Sequence, residues 1–423
     1  MKSDIIIVGA GASGLMSAIA AARQFLKEGK SACRKPEILI LERMEKPGKK
    51  ILATGNGRCN YTNRVMDTSC YHSAEPRLIG QVLGRFGYEA ALDFFSDLGI
   101  YPKDRDGYIY PASNQAAAVL DVLLMEIRRL GVKLLTGKNV EKIRKIKDGF
   151  EVVTSGQERY TAKKVILAGG GRAYPKLGSD GSCYDLARQL GLSMTRVVPA
   201  LTGLYAREKF FKSVSGVRAD GCIHIYACGQ TAPVQLAMNR GEVQLTDYGV
   251  SGIPAFQVSR YVSKAIDQKK KVSGSLDFMP DMDKSRLFLF LTERAHVRPD
   301  KTADEFLIGM FHQKLCRLFN QLAGLNGSQT VGQLNKKQLG ALAEVIKNLT
   351  FQIERTGGFD NAQVCAGGVD GRLLSEYLEV RKIPGLYIAG ELVDVDGICG
   401  GYNLQWAWSS GYVAGTHAGK ELV

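Results

Sequence analysis

The sequence predicts an α/β fold in which a mostly parallel sheet is built from both ends of the chain and interrupted by a β-rich insertion and a short helical stretch. Three observations predict it. The chain opens on an apolar strand, a glycine-rich turn and an Ala-rich helix. Strands ending in Ala-Gly recur at Ile166-Leu167-Ala168-Gly169 and at Tyr387-Ile388-Ala389-Gly390. Between these, from Leu201 to about Phe278, short alternating segments separated by Gly and charge replace the strand–helix rhythm.

The first strand is Asp4-Ile5-Ile6-Ile7-Val8, followed by Gly9-Ala10-Gly11-Ala12-Ser13-Gly14 and a helix over 15–26. Gly9 permits the tight turn, Gly11 lets a backbone approach a pyrophosphate, and Gly14 lets helix and strand pack closely. The helix N-terminus offers N–H groups and a positive dipole end to an anion. The second strand, 37–42, ends in Glu42, an acid placed to accept hydrogen bonds from a ribose diol. Glu42 lies 28 positions after Gly14, beyond the usual spacing of roughly 20, and the basic stretch Lys27–Lys35 lengthens the connection. These residues point to a dinucleotide and do not separate FAD from NAD(P).

Phe86–Leu98 and Ala116–Leu130 carry apolar residues three and four apart and read as helices. The segments 133–135, 140–146, 150–154 and 158–162 read together as a small antiparallel hairpin or meander. A buried strand over 165–168 and a helix over 183–190 follow. Beyond the β-rich run, 284–291, 305–322 and 336–348 read as helical, and strand-and-turn logic returns at Gly385–Glu391. The boundaries expected are 1–194 and 355–423 for the two parts of the nucleotide domain, 195–280 for a β-rich domain, 281–335 for a small helical domain and 336–354 for a return segment.

At 423 residues and 45% hydrophobic, the chain is long enough for two or three domains. It holds no apolar run of about 18 residues, so no membrane span is expected. The start lacks a signal peptide's pattern, and nine scattered cysteines without a Cys-x-x-Cys pair point to a reducing cytoplasm. Five well-separated histidines (His72, His224, His296, His312 and His417) show no ligand spacing, so no metal is expected. The net charge of +14 is spread through Lys27–Lys35, Lys138–Lys147 and Lys269–Lys271. It reads as solvated helix ends and hairpins before it reads as attraction to nucleic acid or to an anionic, CoA-linked substrate.

Strand ends at Val8, Ala168 and Ala389 can converge on one extended cofactor, because ligands of open parallel sheets sit beyond the strands' carboxyl ends. Near the C-terminus, Gly400-Gly401-Tyr402-Asn403-Leu404 opens a helix and would aim backbone N–H groups at an electron-rich edge, for FAD the N1–C2=O edge of the isoalloxazine. The segment from Pro47 to Asn63 is dense in Gly, Asn and Lys. Arg58 offers it a cation for phosphate, and Asn56 and Asn60 offer amides. Cys59 has no neighbouring thiol and reads as packing.

The stretches PGKKILATGNGRCNYTN, GGGRAYPKLGSDG, TDYGVSGIPAFQVS and PGLYIAGELVDVDGICGGYNLQWAWSSG resemble the bacterial aminoacetone-oxidase-like FAD-dependent flavoproteins, a family that includes 3-dehydro-bile-acid Δ4,6-reductases. The resemblance runs from the first strand to the last helix. It implies a split FAD-binding Rossmann-like domain with an inserted β-barrel-like domain and a small helical domain. It further implies non-covalent FAD held by Gly9, Ala12, Ser13, Gly14, Glu42, Arg43, Gly57, Arg58, Cys59, Asn60, Val140, Ala168, Gly169, Gly390, Glu391, Gly401, Tyr402, Asn403 and Leu404. Many relatives read Thr-His-Tyr-Gly where this chain has Thr246-Asp247-Tyr248-Gly249, so a histidine acid is missing and Tyr248 becomes the better proton donor.

The leading expectation is an ene-reductase, in which reduced flavin passes hydride to the β carbon of an enone while an acid protonates the α carbon. Tyr248, Tyr402 and Tyr174 are the candidate acids. The expected substrate is a small molecule, a steroid or bile-acid enone, anionic or CoA-linked. No second Gly-x-Gly-x-x-Gly unit is present for NAD(P)H, which would then bind transiently as donor. The alternatives are an amine or aminoketone oxidase using O2 and an FAD-dependent RNA-modifying protein; a nucleic-acid partner is not the expectation.

Overall fold

The protein is described by a computed structural model covering residues 1–27, 35–229, 232–420 and 422, so most of the basic stretch after Lys27, with Cys33, lies outside the described residues. The chain divides into two compact units, Met1–Val197 with Gln363–Val423, and Val198–Ala362.

In the first unit, β1 (Lys2–Val8) leads through the glycine turn into α1 (Ala12–Lys27), and β2 (Ile38–Leu41) follows. β1 and β2 are parallel and buried nearly end to end, as expected of strands apolar on both faces. β3 (Lys133–Leu135) runs parallel to β2 on the sheet's edge. It is therefore not part of the meander in which its alternation placed it. Helix Ala116–Arg129 delivers it to the sheet as a crossover strand. The antiparallel strands β4 (Val140–Ile146), β5 (Gly149–Thr154) and β6 (Arg159–Leu167) form the meander. β6 has two jobs: Arg159–Ala162 pair antiparallel with β5, while its later residues run parallel to β1.

The helix expected at Phe86 begins instead at Tyr88 and runs to Asp97. Phe86 ends a helix that periodicity did not single out, Pro76–Arg85, and its N–H closes on Val82 O at 3.2 Å. That helix has Pro at its first turn and buries Leu78, Ile79, Val82 and Leu83 on one face.

The second unit is a closed antiparallel barrel with helices around a shared core. Its strands are β7 (Leu204–Ala206), β8 (Arg218–Ala227), β9 (Val234–Thr246), β10 (Gly249–Ser251), β11 (Val272–Asp277) and β12 (Leu349–Thr356), closing in the order β7-β10-β9-β8-β11-β12. The β-rich run is not wholly β. Helix Ile253–Asp267 lies within it, starting with Pro254 in its first turn and burying Ala255, Val258, Val262 and Ala265 at helical spacing. The helix expected over 305–322 is two helices, Ala303–Phe306 and Gln313–Leu322. Gly309 between them takes φ +91°, and His312 Nδ1 caps the second by accepting from Lys314 N at 3.1 Å. Leu287, Leu291, Phe319, Leu342 and Ile346 from the helices share the core with Ile223, Ile225, Leu245 and Phe351 from the strands.

Back in the first unit, β13 (Leu386–Ile388) pairs parallel with β6, Val165 opposite Leu386 and Leu167 opposite Ile388. The last helix among the described residues, Tyr402–Lys420, packs along α1. Methyl groups built on Gly411, Gly415 and Gly419 would stand 2.5, 2.3 and 2.5 Å from the carbonyl oxygens of Ser13, Ser17 and Ala21, so bare glycines let the two backbones touch. Among the described residues no helix is long and apolar enough to cross a membrane.

Candidate cofactor site

The carboxyl ends of β1, β6 and β13 lie side by side. Ala168 N donates to Val8 O at 2.9 Å and Ala389 N to Leu167 O at 2.9 Å. The three glycines of the first turn do different things. Gly9 takes φ +102°, and a Cβ there would strike Ala168 O and Gly169 Cα at 2.7 Å. A Cβ on Gly14 would come within 1.9 Å of Gly9 O. A Cβ on Gly11 would meet nothing within 4 Å. Gly9 and Gly14 are therefore glycine for packing, whereas at Gly11 the space is left open beside the first N–H groups of α1.

Glu42 is held on both oxygens. Oε2 accepts from Ala10 N and Oε1 from Met44 N, each at 2.7 Å. The acid thus fastens the second strand's end to the glycine turn, and each oxygen keeps a lone pair for a further donor. Arg43 is turned toward protein: it donates to Asp180 Oδ2 at 2.5 Å and to Gly178 O at 3.0 Å, holding down the loop after Tyr174. Val140 is buried at the start of β4.

The segment after β2 folds into a short helix, Lys49–Ala53, and then a turn in which Gly55, Asn56, Gly57 and Cys59 all take positive φ. Arg58 and Asn56 are exposed, with Arg58 Nε near Gly55 O at 3.3 Å. Cys59 is fully buried, and burial pushes its thiol up to about 12. Asn60 is buried, and its Oδ1 has no hydrogen-bond partner.

That orphaned oxygen faces the C-terminal glycine turn. A Cβ on Gly401, at φ +95°, would lie 3.0 Å from Asn60 Oδ1 and 2.7 Å from Thr62 O. The turn is clamped from several sides. Asn63 Nδ2 donates to Gly400 O at 2.9 Å and Tyr71 OH to Tyr402 O at 3.1 Å. Asn403 accepts from Gly397 N at 2.9 Å and donates to Gly397 O at 2.8 Å. Leu404 follows, half-buried, in the first turn of the terminal helix. Tyr402 is buried edge-on to Tyr71, and burial with a neighbouring Cys70 holds its phenol well above the ordinary range.

Gly390 joins the last strand to the first turn. It takes φ +74°, its N–H donates to Ser410 Oγ at 2.9 Å, and a Cβ there would meet Ser13 Oγ at 2.4 Å. Glu391 is committed to structure, paired with Lys50 Nζ at 2.6 Å and accepting from Cys365 N at 2.8 Å. A Cβ on Gly169 would collide with Cys183 Sγ at 2.1 Å.

The fold thus gathers the glycine turn, Glu42, Ala168, Gly169 and Gly390 at the carboxyl ends of the parallel strands, and Asn60, Gly401, Tyr402 and Asn403 around the second turn. Tyr174 is 39% exposed with φ +63°. Tyr248 belongs to the barrel unit, where its ring stacks on Tyr205 with centroids 4.2 Å apart, and the Arg355 guanidinium lies 3.5 Å from the Tyr205 centroid. Gly203 lies against one side of that ring, since a Cβ there would stand 3.0 Å from the Tyr248 hydroxyl, and Tyr248 is half-buried. The sequence pattern does not mark Lys50, Ser410, Tyr205 or Arg355 as site residues. Only Lys50 had a signal, the cation density of its loop.

The residues present fit a dinucleotide. Gly11 leaves a gap beside a helix N-terminus, Glu42 is fixed at the second strand's end, and a buried amide oxygen stands unpartnered at a rigid glycine turn.

Residues 3–417 match the family model described as the HI0933-like protein Rossmann domain. The chain is 46% identical over 415 residues to the 3-dehydro-bile acid delta(4,6)-reductase of Clostridium scindens, covering 98% of both chains. It is 30% identical over 415 residues to the ribosomal RNA dihydrouridine synthase of Escherichia coli, covering 97% of this chain and 96% of that one. Among solved structures, 3-ketosteroid delta1-dehydrogenase from Sterolibacterium denitrificans superposes with a TM-score of 0.50 at 13% identity, covering 99% of this chain and 100% of that one, a likeness of fold.

Proposed function

Because the chain belongs to the HI0933-like family, we propose that it is an FAD-dependent oxidoreductase that reduces a C=C bond conjugated to a carbonyl, with a 3-oxo-4,6-diene steroid of bile-acid type as substrate. The observation that carries this reading is the 46% identity, over 98% of both chains, to a protein named for that reduction. FAD, bound without a covalent link, supplies two-electron hydride chemistry. NAD(P)H visits as a transient donor, and the chain works in the cytoplasm.

The chain's own residues divide the remaining work. The open backbone at Gly11 and the first N–H groups of α1 take the pyrophosphate, and Glu42 takes the ribose with its spare lone pairs. The clamped Gly400–Gly401 turn presents N–H groups with no reorganisation, and Asn60 Oδ1 waits for a donor beside it. Tyr248 is the preferred proton donor. The Tyr402 phenol is held above the ordinary range by burial and gives up its proton reluctantly, and Tyr174 sits on an exposed turn. Tyr205 and Arg355 stack behind Tyr248 and orient its ring.

A second reading has its own support. Dihydrouridine is uridine reduced at a C=C bond conjugated to a carbonyl, the same chemistry on a different carrier. The synthase of that name is 30% identical along 97% of this chain, which carries a net charge of +14. The test is anaerobic reduction of the yellow protein, followed by mixing with dienone steroids or unmodified ribosomal RNA, and an aerobic arm with amines. Reoxidation by the dienone at least tenfold faster than in buffer supports the first reading, and no acceleration by any enone overturns it. Dihydrouridine in the RNA carries the second, and peroxide formed from an amine in air turns the assignment to an oxidase.

A further inference from the structure

On the meander of the first unit, away from the glycine turns in sequence, β4, β5 and the segments at 189–190 and 382–384 enclose a groove of about 930 Å³. Five cations line it, Lys142, Arg144, Lys145, Arg159 and Lys382, against a single lining carboxylate, Glu141. Arg144 and Arg159 share Glu151 at 3.6 and 3.4 Å, and Lys145 Nζ donates to Pro384 O at 2.7 Å while lying 4.2 Å from the Phe150 centroid. Among the described residues Lys142 and Lys382 make no ion pair. We infer that this groove is a binding site for the phosphodiester backbone of RNA.

The shape and solvation of the cations select that ligand. All five are exposed, so none is built into a desolvated pocket that would hold a single small anion tightly. Exposed cations strung along a groove gain instead from a polyanion, whose condensed counterions are released as each phosphate is neutralised. The surface is concave, which suits a strand better than a flat bilayer face, and its lining holds no aromatic side chain, so it would grip phosphates and not stack bases. The chain's net charge of +14 draws the same partner in from a distance. The groove bears on the second reading above, where it would hold the polymer that carries the reduced base, and is independent of the first.

Binding is read by fluorescence anisotropy of a labelled single-stranded RNA on the flavin-loaded protein, from about 50 to 200 mM salt. The groove variant Lys142→Glu/Arg144→Glu/Lys382→Glu is compared with Lys270→Glu/Lys271→Glu/Lys337→Glu, which changes the net charge equally at exposed sites in the barrel unit. Retained flavin absorbance and melting temperature serve as the fold check. The groove variant is expected to lose at least tenfold in affinity at low salt. Its log K against log salt slope should flatten by about 2, given about 0.7 per phosphate contact on single strands, and the control variant should keep both. The inference is overturned if the unaltered protein fails to bind RNA at low salt, if both variants lose equally, or if phosphatidylserine vesicles bind through the groove and RNA does not. Because binding is read without turnover, failure to form dihydrouridine leaves this result standing, and loss of binding leaves the chemistry to be tested on free substrate.

Discussion

Gly11 and Gly14 are three positions apart, and a methyl group would do opposite things at each. At Gly14 it would stand 1.9 Å from Gly9 O, so the turn must open. At Gly11 it would meet no protein atom within 4 Å and would intrude only on what approaches the turn from outside. Gly11→Ala is therefore expected to fold with an unchanged melting temperature yet bind FAD at least tenfold more weakly. Gly14→Ala should lose both cofactor and about 1–3 kcal/mol of stability. Equal FAD affinity for Gly11→Ala and the parent protein, by flavin titration, would refute the cradle. The close packing at Gly9 and Gly14 is legible in the sequence, because the motif's spacing after an apolar strand assigns it. The double engagement of Glu42 by Ala10 N and Met44 N is not, since it depends on where two strand ends meet. Thiol chemistry is also decided residue by residue. Burial pushes Cys59, Cys183 and Cys365 each up to about 12, against about 8.5 in an unfolded chain. A raised acid favours the folded protein fully below the unfolded value, and the advantage is lost as pH climbs toward the folded one. Stability should thus fall from about pH 8.5 upward, by about 1.4 kcal/mol per pH unit for each such thiol. Cys59→Ala should remove one thiol's share of that slope in urea titrations at pH 8, 9 and 10. Iodoacetamide at pH 8 should label exposed Cys228 and leave Cys59 untouched until urea unfolds the chain.

At the scale of elements, α1 and the terminal helix form the platform under the glycine turn. Their contact is set by Gly411, Gly415 and Gly419 against the backbone of Ser13, Ser17 and Ala21. Gly415→Ala gains helix propensity of about 1 kcal/mol, but the new methyl would lie 2.3 Å from Ser17 O, so the helices must part. The clash outweighs the propensity, and a net loss of about 1–3 kcal/mol in urea unfolding is expected, with weakened FAD binding as the N-terminus of α1 shifts. Gly340 on helix Lys336–Lys347 has open space around it and serves as the control; its alanine variant should be neutral or stabilising. The elements legible in the sequence were those with a strong period, such as β1, α1 and Ala116–Arg129. Helix Ile253–Asp267 was hidden because its flanks alternate like strands, and β3 was misplaced because three residues carry no period. The split of 305–322 turned on one left-handed glycine and a histidine cap, which a window of apolar spacing averages away.

At the scale of the whole molecule, the return of the chain to the first sheet is legible from the repeated Ala-Gly strand ends, and the barrel-like insertion follows from the family resemblance, whereas the strand that closes the barrel is not legible. The barrel is closed by β12, which pairs with β7 at one edge, Leu204 opposite Thr356, and with β11 at the other, Leu276 opposite Leu349. Pairings across so many residues leave no local trace, so a strand of alternating burial read only as a connection between domains. The same pairing carries a consequence for folding. The unit Val198–Ala362 is continuous in sequence, has β7 and β12 near its two ends paired with each other, and buries its own core from Leu204 to Ile353. A chain with adjacent ends and a private core meets the conditions for folding alone. Residues 198–362 expressed by themselves should therefore unfold in urea as one cooperative transition, coincident by circular dichroism and fluorescence, with stability of about 5–15 kcal/mol and no flavin absorbance. Removing 349–356 from that fragment should abolish the transition, because β7 and β11 would each lose a partner and the barrel would open two edges to solvent. A fragment that unfolds gradually with β12 intact would refute independent folding, and one that stays cooperative without it would refute β12 as the closing strand.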